Sequence, residues 1–183
     1  WDGGQNWEAR WEGLGAAREV ISIDLGASGL LVAGANDGLF RWDSGEGHWQ
    51  RVAPGMEGQT VFTVVIDPQD ETLIYAGATD GLWRSQDGGD SWNRWGDGLA
   101  GITVTAVGLD PVDEQVAYAG TMYEGLYVTE DGGATWTPVQ DPSSRSGQGG
   151  VLATASVRAI LLSPDGQQVY VATDQGIFRR KSS

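Results

Sequence analysis

The sequence offers few residues that could carry out covalent chemistry. His48 is the only histidine, Lys181 is the only lysine, and there is no cysteine. A histidine base needs a serine or cysteine nucleophile within reach, and no G-x-S-x-G elbow occurs in the chain. Lys181 follows no glycine-rich loop, which excludes a P-loop. The sequence therefore predicts a protein that is not an enzyme, with no catalytic residue and with His48 as a turn substituent.

The charge balance narrows the possible partners. The 183 residues include 25 Asp and Glu but only 11 Lys and Arg, which gives a formal net charge of −14. Proteins that bind a phosphate backbone carry a basic surface, so nucleic acid and anionic membrane surfaces are disfavoured. No apolar run reaches the roughly 18 residues of a transmembrane helix, so we expect no direct membrane insertion.

Two loops share one pattern of residue types at one spacing. Residues 85–92 read SQDGGDSW and residues 129–136 read TEDGGATW. The Asp carboxylate can accept backbone N–H groups of its own turn, the glycines permit positive φ, and the Trp can bury its ring between strands. Each loop offers one well-placed carboxylate, whereas a calcium loop offers several. The pattern therefore predicts a structural joint, with no metal and no cofactor.

These loops belong to a repeat of about 43 residues, a period typical of propeller blades. Tyr75-Ala76-Gly77 matches Tyr118-Ala119-Gly120, and similar matches extend the repeat in both directions. We expect one domain over residues 1–183, with blade repeats at 20–56, 60–99, 102–140 and 157–183, the last completed by 1–14.

Each repeat is predicted to form four short strands. The first strand is an apolar run, at 20–25, 61–67, 104–110 and 157–163. A second strand, a tight turn ending in Gly and a third strand follow, and the fourth strand follows each Trp. Repeated four-strand units without helical periodicity predict an all-β fold, a β-propeller of four-stranded antiparallel blades with four blade repeats per chain.

The motif S/T-x-D-x-G-x-x-W resembles the Asp-box, or BNR, repeat of sialidases, sortilin, xyloglucanases and photosystem II assembly factors. The resemblance implies a propeller whose Asp-boxes lie at peripheral turns, away from the ligand face, and an extracellular or periplasmic location. Because the family spans enzymes, receptors and assembly factors, the resemblance implies no single function.

The Asp-box pattern assigns structural roles by position. Its Asp, Gly and Trp fall on Asp87, Gly89 and Trp92, on Asp131, Gly133 and Trp136, and on Asp2, Gly4 and Trp7. Before Trp49 the corresponding positions hold Ser44 and Glu46, so that copy is degenerate. Arg41, Arg84 and Arg179 repeat one symmetric position, unlike the three substrate-binding arginines of sialidases. We therefore expect them to face solvent or to pair with carboxylates between blades.

The two ends of the chain are predicted to share a blade. RWEGL at 10–14 mirrors RWGDGL at 94–99, so the N-terminus would supply the fourth strand that the last repeat lacks. Closing the ring removes an open edge strand. Closure within one chain gives a four-bladed monomer, and closure between two chains gives an eight-bladed homodimer; a longer parent chain is a further alternative.

One face remains as the candidate for ligand binding. The up-and-down order of strands brings the turns between second and third strands and the connections between blades to one face, opposite the Asp-boxes; we call it the connection face. Acids lie in its turns, together with one aromatic residue: Asp37, Asp80, Glu124, Asp174 and Tyr123. These acids are either ordinary turn residues or a converging ring that favours a cationic ligand. The longest loop, 141–156, lies on the same face.

Two functions therefore stay open. The first is a non-catalytic scaffold that binds another protein or macromolecule through the connection face. The second is a glycan-binding module, or a fragment of a glycoside hydrolase similar to a sialidase or xyloglucanase. Glycan binding would need exposed Trp or Tyr on the connection face, whereas most Trp residues lie in or beside the Asp-boxes.

Overall fold

The four apolar runs become the first strands of four antiparallel sheets, which we call blades 1 to 4. The computed structural model describes residues 5–15, 17, 19–140 and 151–180. Blade 1 contains β1 (Val20–Leu25), β2 (Leu31–Ala35), β3 (Gly38–Asp43) and β4 (His48–Val52). Blade 2 contains β5 (Val61–Ile66), β6 (Ile74–Ala78), β7 (Gly81–Ser85) and β8 (Asn93–Arg94). In each blade the strands pair in sequence order.

The remaining two blades follow the same order. Blade 3 contains β9 (Val104–Leu109), β10 (Ala117–Thr121), β11 (Leu126–Thr129) and β12 (Thr137–Pro138). Blade 4 contains β13 (Val157–Leu162), β14 (Val169–Thr173) and β15 (Gly176–Arg179). The only helical segments in the described residues are 3₁₀ turns at Asp97–Leu99 and Val151–Ala153. The predicted all-β class and the blade pattern are confirmed.

Neighbouring blades pack through their first strands and bury one hydrophobic cluster at each junction. Val64 of β5, Val107 of β9 and Ile160 of β13 each lie in the cluster shared with the preceding blade. The second strand of each blade also approaches the backbone of the next blade closely. A Cβ at Gly77 would lie 2.8 Å from the carbonyl oxygen of Val104 in the next blade, so only glycine fits there without a shift.

The predicted closure of the ring within one chain is absent from the described residues. Blade 4 has three strands there, and no N-terminal strand pairs with β15. The N-terminal segment instead lies against blade 1, where Trp49 donates its backbone N–H to the Glu12 oxygen at 2.7 Å and its indole N–H to the Arg10 oxygen at 3.0 Å. These contacts fix residues 10–14 at the opposite end of the row of blades from β15.

Two sets of predicted residues fall outside the described part of the chain. Asp2 and Gly4, the N-terminal copy of the Asp-box pattern, lie there, as do residues 141–150 of the longest loop. Trp7 is described and is largely exposed.

Candidate binding site on the connection face

Every first strand carries a β-bulge near its beginning. In β5, Val61 pairs with Ala78 and Thr63 pairs with Gly77, which leaves Phe62 as the extra residue. The other first strands have the same register shift. The four extra residues, which we call the bulge quartet, are Ile21, Phe62, Thr105 and Arg158. A bulge re-aims a side chain out of the regular alternation, and bulges are frequent beside binding sites.

The bulge quartet lines one cavity on the connection face. The cavity has a volume of about 540 Å³ and draws one quartet residue from each blade. Its remaining lining comes from Met122, Tyr123, Ser156 and Val157. First strands begin at the connections between blades, which is why their bulges open onto this face rather than onto the opposite one.

Each quartet residue follows a valine that all four first strands share. The residue directly before each quartet member is Val in all four blades, because Val20, Val61, Val104 and Val157 begin the four first strands. The quartet itself holds two apolar residues, one hydroxyl and one guanidinium. The side chain that lines the cavity therefore changes in every copy, directly after a residue that does not change.

Blade 3 adds the largest exposed side chain to the cavity. Its turn between second and third strands is one residue longer than the others, and this turn carries Met122 and Tyr123. The Met122 oxygen accepts a hydrogen bond from the Ser156 hydroxyl, which ties the turn to the connection that enters blade 4. Tyr123 itself is largely exposed beside the cavity. The turn is thus held by its backbone while its aromatic ring stays accessible.

Arg158 supplies the only charge among the cavity-lining residues. Within the described residues it makes no ion pair, and its side chain is exposed. Thr105 supplies a hydroxyl that donates to the Val157 oxygen at 2.6 Å and so joins blades 3 and 4 beneath Arg158. A carboxylate or a backbone carbonyl group is the natural partner of an accessible guanidinium.

The predicted acids of the connection face do not all converge on this cavity. Asp37 pairs with Arg51 at 2.7 Å, and Asp80 pairs with Arg94. Both arginines come from the fourth strand, so both carboxylates face the outer strand of their own blade. Each Arg also stacks on an aromatic ring of the same blade, with Arg94 4.8 Å from the Trp83 centroid. The converging ring of acids is corrected accordingly: two of its members hold intrablade ion pairs.

The other two acids are closer to the predicted picture. Asp174 accepts the backbone N–H of Ser156 at 3.0 Å through one carboxylate oxygen, which fastens the turn of blade 4 to the preceding connection. Glu124 is exposed beside Tyr123, and its side chain has no partner among the described residues. Only these two carboxylates therefore remain as rim charges near the cavity.

The repeated DGG loops form tight, self-contained turns at the other end of the blades. In blade 2 the Asp87 carboxylate accepts the Ser91 hydroxyl at 2.5 Å, the Ser91 backbone N–H at 2.8 Å and the Ser85 hydroxyl at 2.8 Å. These bonds, the Ser91 hydroxyl first, lower the pKa of Asp87 from 3.8 to about 2. Ser85 is itself buried and accepts the Gly89 N–H. Asp87 thus organises a turn, as its spacing predicts.

Blade 3 repeats this geometry with Thr in place of Ser. Asp131 accepts the hydroxyl and N–H of Thr135 and the hydroxyl of Thr129, and its pKa is also lowered to about 2. The tryptophans differ. The Trp92 indole donates to the Gly89 oxygen at 3.1 Å, whereas the buried Trp136 indole N–H has no acceptor among the described residues and packs edge-on against Trp95 at 5.2 Å.

In the degenerate copy in blade 1, the carboxylate that organises the turn lies one residue earlier than in the complete loops. Asp43 accepts the backbone N–H groups of Gly45 and Glu46, at 2.8 and 3.0 Å. These two bonds, with that from Glu46 the larger, lower the pKa of the Asp43 carboxyl. His48 is the first residue of β4, half-exposed and 3.6 Å from the Glu46 carboxylate. The sequence predicts His48 in the turn, whereas it pairs with Asp43 just after the turn, at the beginning of the strand.

The three arginines at one repeat position have different surroundings. Arg41 joins blades 1 and 2 by pairing with Asp90 at 2.7 Å and donating to the Gly88 oxygen at 3.0 Å. Arg84 stacks on the Trp95 ring at 5.2 Å, and Arg179 is exposed on β15. The predicted interblade pairing is present for Arg41.

The described residues show neither a metal-binding cluster nor a membrane-spanning helix. They contain no group of three or more His, Asp or Glu placed to bind a metal ion. The same ranges contain no helix long and apolar enough to cross a membrane.

Comparisons with known proteins identify the fold. No protein-family model matches the sequence, and no curated protein matches it. An ancestral GH74 enzyme superposes with a TM-score of 0.73 at 15% identity, over 94% of this chain and 24% of that one. YCF48 from Cyanidioschyzon merolae superposes with a TM-score of 0.69 at 18% identity, over 98% of this chain and 61% of that one. YCF48 bound to D1 peptide superposes with a TM-score of 0.65 at 18% identity, over 100% of this chain and 56% of that one.

These likenesses show the architecture and nothing finer, because all three lie below 25% identity. The chain is a β-propeller built from four blades. It spans about a quarter of the GH74 enzyme and about three fifths of the YCF48 chains. One of these proteins is an enzyme and another is bound to a peptide, and the fold alone does not choose between such uses.

The sequence predicted the connection face as the candidate surface but did not reveal the bulge quartet that lines its cavity. Ile21 and Phe62 lie inside apolar runs that read as ordinary core strand. A one-residue register shift leaves no mark on composition or period. A usable signal was nonetheless present, because each first strand begins with Val followed by a different residue in every copy.

Proposed function

We propose that this propeller is a non-enzymatic scaffold that binds a protein segment in the cavity of the connection face. The observation that carries the proposal is the bulge quartet, where one register position presents a different side chain from each blade into one cavity. Rigid scaffolds acquire specificity by varying residues that line a preformed site. The solved structure of YCF48 with D1 peptide supports peptide binding as a use of this architecture.

The cavity chemistry suggests which segment it takes. Ile21 and Phe62 offer an apolar wall, Tyr123 offers an aromatic ring with a hydroxyl, and Arg158 offers a charged donor. A segment with one apolar or aromatic side chain next to an acidic group matches this lining. The expectation of a basic partner depended on four converging acids, and Asp37 and Asp80 are already paired.

Glycan binding is the second candidate, favoured by the exposed Tyr123 and by the GH74 likeness. Glycoside hydrolysis canonically uses two carboxyl groups that flank the scissile bond. The residues lining the cavity include no Asp or Glu. Under this alternative the cavity would therefore bind a sugar chain rather than cleave it. The extracellular or periplasmic location stays a prediction.

Selection from a random peptide display library tests the first candidate. We expect enriched peptides that combine an aromatic or aliphatic residue with an acid. Titration calorimetry of one such peptide should show about tenfold weaker binding for Phe62→Ala and for Arg158→Ala, since 1.4 kcal/mol corresponds to a factor of ten. Arg179→Ala, an exposed arginine on β15, is the matched control and should bind unchanged.

Three results would decide against peptide binding in this cavity. One is the failure to enrich any peptide, and another is affinity that is equal in the Phe62 and Arg158 variants. The third is binding of xyloglucan oligosaccharides that depends on Tyr123 while no peptide binds, which would favour the glycan alternative.

A further inference from the structure

The two ends of the row of blades expose residues whose counterparts are buried everywhere else. Strand register defines the counterparts: Ile23 faces Ala33 in blade 1 as Val64 faces Ala76 in blade 2. Ile23 is 58% exposed and Val64 is 4% exposed. Leu25 is 65% exposed, and its counterpart Ile66 is 5% exposed. The first strand of blade 1 therefore presents one half of the interblade interface without its partner half.

The last blade presents the other half. Gly108 of β9 faces the next blade, since a Cβ there would lie 2.6 Å from Ile160 and 2.8 Å from Leu162. The counterpart of Gly108 in blade 4 is Leu161, because both pair with a Tyr of the second strand. Leu161 is 68% exposed. A leucine thus projects from blade 4 at the position that points into the following blade.

These two surfaces are the two halves of one type of junction. Gly108 leaves no room for a Cβ between Ile160 and Leu162, so a junction that holds Leu161 between Ile23 and Leu25 must be wider than that one. Within the chain, the residue at the Leu161 position points between the counterparts of Ile23 and Leu25 in the next blade. The junction of blades 1 and 2 shows this geometry. Asp24 holds the Leu161 position in blade 1, and its carboxylate accepts the backbone N–H of Ile66, the counterpart of Leu25 in blade 2, at 2.8 Å. In the structure the two end surfaces do not meet, since Ile23, Leu25 and Leu161 are all exposed. Covering both end surfaces therefore requires blades beyond the four that the described residues form.

We infer that a second copy of this chain packs head to tail on the first, with Leu161 of each copy between Ile23 and Leu25 of the other. The occupant is a second copy because each end surface carries one half of an interface that the chain already forms three times internally. This contact is heterologous, so it either closes into a ring or continues as a filament. Two copies of four blades close as an eight-bladed ring, in which the end surfaces of both copies are covered.

The N-terminal segment is placed to take part in this closure. Leu14 packs in the cluster around Trp49 of blade 1, just as Leu99 packs in the cluster around Trp136 of blade 3. Leu99 belongs to the connection from blade 2 into blade 3. Residues 10–14 therefore occupy the place of a connection that enters blade 1 from a preceding blade. In the dimer, this places residues 5–9 towards β15 of the second copy.

One contact of this interface differs from the internal ones. The positions Gly34, Gly77 and Gly120 admit the Val of the next blade at close range. In blade 4 the corresponding residue is Ala172, which pairs with Ala159 as Gly120 pairs with Ala106. The Cβ of Ala172 would crowd the Val20 of the second copy, so this junction is wider than the internal three.

The ring also completes the candidate binding site. In the chain by itself, Ile21 of the bulge quartet lies on the open side of the cavity, next to the exposed surface of blade 1. A second copy supplies four further bulge residues around the same central axis. The inference stands independently of the proposed function, because it concerns the end surfaces and not the ligand.

Sedimentation equilibrium of the full chain tests the inference. We expect a species of about twice 19.4 kDa at micromolar concentration. Ile23→Glu and Leu161→Glu should each abolish the dimer, because each places a charge in an apolar junction. Val112→Glu is the matched control, because Val112 is 68% exposed, as Leu161 is, but lies in the turn between β9 and β10. It should leave the dimer intact.

A mixing experiment separates loss of the interface from loss of folding. A chain with Ile23→Glu mixed with a chain with Leu161→Lys forms one unaltered junction and one junction that pairs Glu with Lys. We expect the mixture to recover a dimer that neither variant forms alone. A monomeric parent chain, a polymer in place of a dimer, a dimer that survives Leu161→Glu, or no recovery on mixing would each overturn the inference.

Discussion

Blades 2 and 3 are buried on both sides, whereas blades 1 and 4 are buried on one side, although all four begin with the same residue. Val61 and Val104 are buried between blades, and Val20 at the same register position is exposed. The sequence of the repeat is therefore not what separates core from surface here. What separates them is whether another blade packs on that side, because the exposed Val20 lies on the side of blade 1 that no described blade covers.

The largest expected effect contrasts one register position in an inner and an end blade. Ile66→Ala should reduce the free energy of unfolding by about 2–5 kcal/mol, because it removes buried methyl groups and leaves a cavity. Leu25→Ala, measured in protein diluted to monomer, should change it by no more than about 0.5 kcal/mol. Urea unfolding of both variants makes the comparison. Equal losses would show that blade 1 is buried in the monomer after all.

A smaller effect is expected where second strands approach the next blade. Gly77→Ala should cost about 1–3 kcal/mol, because the new Cβ would overlap Val104 of blade 3. Ala172→Gly at the matching position of blade 4 should cost at most about 1 kcal/mol in the monomer, from strand propensity alone. It should also strengthen the dimer, since it removes the Cβ that crowds the junction. Weaker association of Ala172→Gly would contradict the assigned junction.

The smallest expected effect concerns acid sensitivity, in which complete DGG loops differ from the degenerate one. Asp87 and Asp131 have folded pKa values of about 2, below the ordinary 3.8. Their contribution is therefore present above pH 3.8 and is lost as the pH falls towards 2. The double variant Asp87→Asn/Asp131→Asn should melt at a lower temperature at neutral pH and lose less on acidification. Thermal melts with parallel pH slopes for both proteins would remove the carboxylates from the account.

The sequence predicted the elements that are set locally. Alternating apolar residues and glycine turns specify strands over short distances, and the spacing of Ser85, Asp87 and Ser91 specifies a turn that closes on itself. The bulges escaped prediction because a register shift depends on the pairing partner, as for Phe62 opposite β6. Arg51 and Arg94 each lie 14 residues after their Asp partner, a recurrence that would have revealed the intrablade ion pairs.

The placement of the N-terminus shows the same limit from another side. RWEGL resembles the segment that follows β8, and the resemblance identifies the type of connection correctly. Which blade the segment joins depends on where the ends of the row of blades lie, and this is a property of the whole assembly. Sequence similarity between repeats does not reveal which blade the N-terminal segment joins, since every blade has equivalent neighbours in a closed ring.

Amide hydrogen exchange of the intact chain tests most directly whether end and inner blades differ only in having a missing neighbour. At concentrations that support the dimer, the amides of Val20–Leu25 and Gly176–Arg179 should be protected about as strongly as those of Val61–Ile66. On dilution the two end strands should lose protection while Val61–Ile66 keeps it. End strands that exchange rapidly at every concentration would contradict the account, because no second copy would then be covering them.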